Sequence, residues 1–233
     1  FASLGYEVHA ISLPGHGESG LEKGHINRYR LVDYAEILGA TAVNLPTAPI
    51  IIGHSMGGAI LQKLQESYQP YSAVFLSSLP NQGILRFLLS LMRHYPAQLL
   101  KTTFTLNTHH LVTPVSVARA HFFTPAATVD MEKWASQLTA ESFQIVLNTL
   151  FSFATPTSEG CPKLVLAGEK DAIFTVAEAT KTAQRYGAEK VVFANQGHNL
   201  MAEPAWQTVA DTIDGWINND YMLPNRQNLE STI

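Results

Sequence analysis

Charged residues and cysteines are scarce in this chain of 233 residues. Lys, Arg, Asp and Glu together make up 15%, and the formal net charge is −4. Proteins that bind the nucleic-acid backbone concentrate positive charge, so this balance argues against a nucleic-acid partner. The single cysteine, Cys161, cannot form an internal disulfide. It also cannot anchor a metal cluster, and we expect neither a metal nor a cofactor.

Long apolar stretches and targeting signals are also absent from the sequence. No uninterrupted apolar run approaches the roughly 18 residues that a transmembrane helix needs. The first residue is Phe1, and no basic start, apolar middle and small-residue cleavage site follows it. Nothing therefore predicts a signal peptide, and a cytoplasmic location is the expectation. Hydrophobic residues make up 46% of the chain, which excludes a disordered protein.

Short apolar runs alternate with longer helical patterns, which is typical of a parallel α/β sheet. The predicted strands are 6–13, 49–52, 73–77, 163–167 and 190–194, and the predicted helices include 31–44, 56–68, 175–187 and 204–218. Between 80 and 160 this alternation stops, and prolines separate what we expect to be several helices. We therefore predict a core in two parts (1–79 and 161–219), a helical insertion (80–160) and a polar tail (220–233).

The strongest chemical signal is a G-x-S-x-G motif, Gly53-His54-Ser55-Met56-Gly57, between a predicted strand and a predicted helix. Such a turn holds its serine in a strained backbone conformation, and glycines flank it because side chains there would collide with neighbouring backbone. The hydroxyl is pushed into the open, and the helix dipole points at developing negative charge. Ser55 is therefore the predicted nucleophile.

A serine hydroxyl needs a base to take its proton, and nine histidines compete for that role. His198 is favoured because it follows a predicted strand and a flexible Gly197. His54 is expected to point away from Ser55 and to pack, and His16 is expected to stabilise a turn more than to line a pocket. Of the other six, His9 is expected within a strand, and a surface position is expected for His25, His94, His109, His110 and His121.

A carboxylate should hold the imidazole of the base in the right tautomer. Asp171 lies just past a predicted strand, at the edge where parallel α/β sheets assemble their sites. Glu169 is close by and is interpreted as a solvated turn residue, and Asp33 as a surface residue of a helix. The chain order is then Ser55, Asp171, His198.

These motifs resemble the α/β-hydrolase superfamily, in particular its esterase and lysophospholipase-like members. The resemblance covers nearly the whole chain and rests on four motifs in order: S-L-P-G-H-G-E-S at 12–19, G-H-S-M-G-G at 53–58, L-A-G-E-K-D at 166–171 and G-H at 197–198. Many relatives carry Asp where this chain has Ser12. The resemblance implies that 80–160 forms a lid after the sixth strand and that the Met56 amide donates to the oxyanion.

The same resemblance implies three further strands before Tyr6. A loop after the third of them would carry the second oxyanion donor, which this chain does not show. The third strand would also lie between 6–13 and 49–52, so we expect a gap there and no hydrogen-bonded ladder between the two. About 50 residues, enough for three strands and their connections, are expected to be missing, and the chain alone to have little activity.

The leading functional hypothesis is a serine hydrolase that cleaves a small-molecule carboxylic ester through an acyl-enzyme. The same residues suit amides, thioesters, C–C bond hydrolysis or cyanohydrin cleavage, and a non-catalytic binding module or an inactive fragment is the competing class. Haloalkane dehalogenation is disfavoured because that branch has Asp at the nucleophile position. Apolar residues of 80–160 suggest a hydrophobic acyl or aromatic group, with simple packing an equal alternative; the candidates are Phe87, Phe122, Phe123, Trp134 and Phe143.

Overall fold

A parallel sheet of four strands forms the centre of residues 1–218, the part of the chain that the computed structural model describes. The strands are adjacent in chain order: β1 (Ile50–His54), β2 (Ser72–Leu76), β3 (Lys163–Gly168) and β4 (Glu189–Phe193). The ends of each strand lie within two residues of the ends predicted from sequence. The predicted polar tail, 220–233, lies outside the described residues.

Side chains of the central strands alternate between two apolar clusters, because successive residues of a strand point to opposite faces. Phe75 and Val165 join a cluster with the helices on one face. Leu164 and Leu166 join Val74 in a second cluster on the other face. Every residue of β2 and β3 is buried, as expected for a parallel sheet covered on both faces.

Four of the helices cover these two faces of the sheet. The helices are α1 (Leu31–Val43), α2 (Met56–Leu64), α8 (Val176–Tyr186) and α9 (Trp206–Ile217). The first three supply side chains to the Phe75 cluster, and α9 supplies Val209, Ile213 and Trp216 to the other. The last helix begins at Trp206, so the predicted start at Pro204 was two residues too early.

Residues between β2 and β3 are helical and contribute no strand to the sheet. The helices are α3 (Leu85–His94), α4 (Pro96–Thr105), α5 (Val115–Phe122), α6 (Met131–Ala135) and α7 (Phe143–Asn148). Several start where the sequence offers a cap: Pro96 occupies the first turn of α4, and the Asp130 side chain accepts a hydrogen bond at the start of α6.

The predicted strand over 6–13 is not formed, and this part of the sequence interpretation was wrong. Residues 6–13 are assigned no secondary structure and make no ladder with β1. A cavity of about 730 Å³ instead lies between 6–11 and β1, and side chains from both segments line it. An apolar run has strand geometry only when a neighbouring strand pairs with its backbone, and within residues 1–218 no strand does so here.

A sharp turn joins β1 to α2 at the G-x-S-x-G motif. Ser55 has φ of +52°, a conformation rare for a residue with a side chain. The turn is held by the Ser55 amide, which donates to the Leu76 carbonyl at 3.1 Å. A Cβ on Gly53 would lie 2.5 Å from the Gly57 carbonyl oxygen, as the sequence interpretation anticipated. Around Gly57, in contrast, such a Cβ would meet no described atom within 4 Å outside the adjacent residues and the backbone of α2, so the collision argument was wrong for that glycine.

The two glycines therefore give a matched pair of variants. We expect Gly53→Ala to lower the free energy of unfolding by about 1–3 kcal/mol, the usual cost of overpacking, because the new methyl meets rigid backbone. Gly57→Ala should leave stability unchanged or raise it by about 0.5–1 kcal/mol, since alanine favours a helix. Urea unfolding followed by circular dichroism measures both. Equal stability of the two variants would contradict this account of the turn.

Candidate active site

Three strand ends bring the candidate residues to one edge of the sheet. Ser55 directly follows β1, Asp171 lies in the turn after β3, and His198 lies in the loop after β4. Parallel strands place their carboxyl ends at the same edge, so residues far apart in the chain can meet there. The structure brings Asp171 and His198 into direct contact.

Asp171 and His198 form a buried hydrogen-bonded pair. His198 Nδ1 lies 2.8 Å from Asp171 Oδ2, and the two side chains are 0% and 1% exposed. The other carboxylate oxygen accepts hydrogen bonds from the amides of Ile173 (2.8 Å) and Phe174 (2.9 Å). An ionised carboxylate can only accept hydrogen bonds, so Nδ1 carries the proton when the imidazole is neutral. The lone pair is then on Nε2.

His198 Nε2 is buried and has no hydrogen-bond partner among residues 1–218. The sequence interpretation expected Ser55 at hydrogen-bond distance from His198, and that bond is not formed here. Ser55 is nevertheless adjacent in the chain to His54, whose ring centroid lies 4.9 Å from that of His198. Catalytic hydrogen bonds are often long before substrate binds and shorten in the reactive complex.

Met56 begins α2, directly after Ser55. The first amides of an α-helix have no acceptor within the helix, and the positive end of the helix dipole adds to their attraction for an anion. An oxygen with negative charge beside Ser55 would therefore be attracted by the start of α2.

Aromatic rings surround the imidazole of His198. The ring centroids of Phe122 and Phe174 lie 5.7 and 5.5 Å from that of His198. Two further rings extend this cluster. The centroid of Phe87 lies 6.2 Å from that of Phe174, and the centroid of Trp134 lies 5.2 Å from that of Phe122. Four of the five apolar candidates of 80–160 have ring contacts in this cluster: Phe87, Phe122, Phe123 and Trp134.

The loop that carries His198 is also hydrogen-bonded to the end of α5. The Asn199 amide donates to the Phe122 carbonyl at 3.0 Å. The buried carboxylate of Glu203 accepts from the Thr124 amide and from the Thr124 hydroxyl, each at 2.6 Å. Sequence reasoning missed Glu203 and Thr124, because a lone glutamate ahead of a proline carries no periodic or motif signal.

Two residues assigned to the surface from sequence are buried, so those assignments were wrong. His121 is 8% exposed, and its ring contacts Tyr95 and Phe87, with centroids 5.0 and 5.8 Å away. Burial, and to a lesser degree the nearby His198, lowers the pKa of His121. Asp33 is 7% exposed because it caps the first turn of α1 and pairs with Lys23 at 2.7 Å.

Three further residues considered from sequence, His16, Glu169 and His9, lie in turns or in unpaired chain. His16 Nδ1 bonds to the Pro14 carbonyl, as expected for a turn residue, and its Nε2 lies 3.1 Å from Glu141. Glu169 is exposed and accepts from the Asn195 amide, which agrees with its assignment to a turn. His9 is exposed rather than part of a strand, because its segment pairs with no neighbour in the described chain.

Within residues 1–218, no group of three or more His, Cys, Asp and Glu side chains is arranged to hold a metal ion. None of the helices described here has the length and apolar character that crossing a membrane requires.

Comparison with known proteins gives a consistent family assignment. The chain is 26% identical to a monoacylglycerol lipase of Mycolicibacterium smegmatis over an alignment of 247 positions, which covers 93% of this chain and 80% of the lipase. Its fold is similar to that of polyneuridine aldehyde esterase, with a TM-score of 0.63, 20% identity and coverage of 91% and 89% of the two chains. A thermophilic esterase from Thermogutta terrifontis matches with a TM-score of 0.58, 17% identity and coverage of 90% and 79%. The family model for alpha/beta hydrolases matches residues 1–212. Given this match over most of its length, the chain belongs to the alpha/beta hydrolase family.

Proposed function

We propose that this protein is a serine hydrolase that cleaves carboxylic esters with a hydrophobic acyl or aromatic group. The observation that carries the proposal is the state of His198: Asp171 holds Nδ1, and buried Nε2 has no partner within residues 1–218. Leaving a buried polar atom unpaired costs about 1–3 kcal/mol, which a protein tolerates at a functional site. Similarity to named esterases and a monoacylglycerol lipase supports ester hydrolysis in general.

The proposed reaction has two halves. Ser55 Oγ attacks the carbonyl carbon while its proton passes to His198 Nε2, and the Met56 amide donates to the oxyanion. The tetrahedral intermediate collapses, the bond to the alcohol oxygen breaks, and the alcohol leaves with the proton from Nε2. Water then attacks the acyl-enzyme with its proton taken by Nε2, and Ser55 Oγ leaves with that proton as the acid is released.

Residues 80–160 act in this proposal as a lid whose aromatic side chains receive the acyl group. Support comes from the ring contacts that link Trp134 to Phe122, and Phe122 to His198. Aromatic surroundings exclude water from the imidazole, which strengthens electrostatic interactions in the reacting centre.

Ser55→Ala tests the nucleophile. We expect this variant to fold, because loss of a hydroxyl leaves no cavity, but to lose labelling by a fluorophosphonate probe and to lose about 10³-fold or more of ester turnover. Ser136→Ala, a change at an exposed serine, should label and turn over like the parent chain. Retention by Ser55→Ala of more than about a tenth of the parent kcat would contradict the assignment.

Asp171→Asn tests the orientation of the base. The amide nitrogen of asparagine cannot accept the Nδ1 proton, so the imidazole is favoured in the wrong tautomer, and we expect kcat to fall by about 10⁴-fold. Pre-steady-state acylation rates with a chromogenic ester measure this directly. Asp211→Asn, at an exposed position of α9, is the matched control and should have no effect. A parent-like acylation rate in Asp171→Asn would remove Asp171 from the mechanism.

Trp134→Ala tests the acyl pocket. We expect kcat/KM for esters of long or aromatic acids to fall by about tenfold or more, with little change for acetate esters, because apolar contact is lost only where the acyl group is large. Phe104→Ala in α4 is the control, since that ring is 85% exposed. A panel of nitrophenyl esters of increasing chain length gives the comparison. A uniform loss across the panel would instead indicate that Trp134 only stabilises the lid.

A further inference from the structure

His54, the residue before the proposed nucleophile, is attached to the loop of the proposed base. Its Nε2 lies 3.2 Å from the backbone carbonyl oxygen of His198. A carbonyl oxygen can only accept, so Nε2 must carry the proton and donate it. The two imidazole rings also contact each other, with centroids 4.9 Å apart and planes inclined by 53°.

The protonation state of His54 suits this donor role. Burial, followed by the proximity of His198, lowers the pKa of His54 to about 3. The ring therefore stays neutral above that pH, with its single proton held on Nε2 by the carbonyl. A neutral neighbour also places no second positive charge beside His198 when Nε2 of His198 takes the proton from serine.

The geometry points to His54 as a positioning residue, which fixes the His198 backbone relative to Ser55 through its hydrogen bond to the His198 carbonyl. This inference rests on the proposed function and assigns His54 a part in the same site. Asp171 orients the His198 side chain, whereas His54 holds the main chain of that residue. The His198 carbonyl also accepts from the Leu200 amide at 3.1 Å, but that donor belongs to the same loop.

Chain connectivity makes this contact specific. Ser55 and His54 are consecutive, and the turn that contains them is fixed by the strained conformation of Ser55 and by its bond to Leu76. The hydrogen bond from His54 therefore fixes the position of the loop that carries His198 relative to the turn that carries Ser55. Displacing catalytic groups by about 1 Å can cost about 10²-fold in rate, so this constraint matters for kcat.

Three substitutions separate the hydrogen bond from the packing of the ring. Gln reaches about as far as Nε2 of histidine and offers an N–H there, Asn offers one that is too short, and Leu keeps the bulk without a donor. We expect His54→Leu and His54→Asn to lower kcat by about 10- to 100-fold with KM unchanged. The kcat of His54→Gln should stay within about threefold of the parent value, a smaller change than the loss of a hydrogen bond would cause.

A second readout does not depend on catalysis. The proton on His198 Nδ1, bonded to Asp171, should give a downfield proton resonance in NMR spectra. We expect it in the parent chain and in His54→Gln, and expect it to shift upfield or exchange faster in His54→Leu. If fluorophosphonate fails to label the parent chain, the proposed function fails, while this resonance still tests the positioning of His198.

Two results would overturn the inference. One is a parent-like kcat and an unchanged Nδ1 resonance in a folded His54→Leu variant. The other is a His54→Gln variant as impaired as His54→Leu, which would assign the effect to ring packing. If His54→Leu does not fold, as thermal unfolding would show, the comparison of His54→Asn with His54→Gln decides in the same way.

Discussion

Parallel hydrogen bonding between four neighbouring strands determines where the candidate functional side chains of this molecule lie. Each strand runs in the same direction, so the turns after β1, β3 and β4 open at one edge of the sheet. Ser55, Asp171 and His198 come from those three turns. The apolar clusters on both faces hold the strands in register, and β2 and β3 are buried throughout. The core therefore supplies a rigid edge, and the short turns on it carry the three candidate residues.

Much of this arrangement could be predicted from sequence because it depends on local signals. Glycines mark the turn before α2, and apolar runs of four to six residues mark the four paired strands. The pairing of Asp171 with His198 followed from strand-end positions and from the resemblance to a known family, and the structure confirms that the two are in contact. The roles of these residues in catalysis remain proposals.

Other features depend on contacts between distant segments, which a single sequence does not encode in a readable way. His121 looks like a surface histidine until α5 packs against Phe87 and Tyr95. Asp33 looks solvated until its carboxylate caps α1 and meets Lys23. The run over 6–13 has strand composition, but no described strand lies beside it to complete a ladder. In each case the outcome depended on which other segment of the chain packs beside the residue.

Hydrogen bonds at two places link the His198 loop to the end of α5, and for the proposed hydrolase they limit how the preference among substrates could change. The Asn199 amide donates to the Phe122 carbonyl, and Glu203 accepts two hydrogen bonds from Thr124, so residues 122–124 and the His198 loop are joined to each other. In the proposed hydrolase, a change at 122–124 would therefore also disturb the imidazole of His198, and selectivity and turnover would change together. Trp134 contacts Phe122 and Phe123 from outside those links. For the proposed hydrolase, variation at Trp134 therefore offers a route to new selectivity that leaves the His198 loop in place.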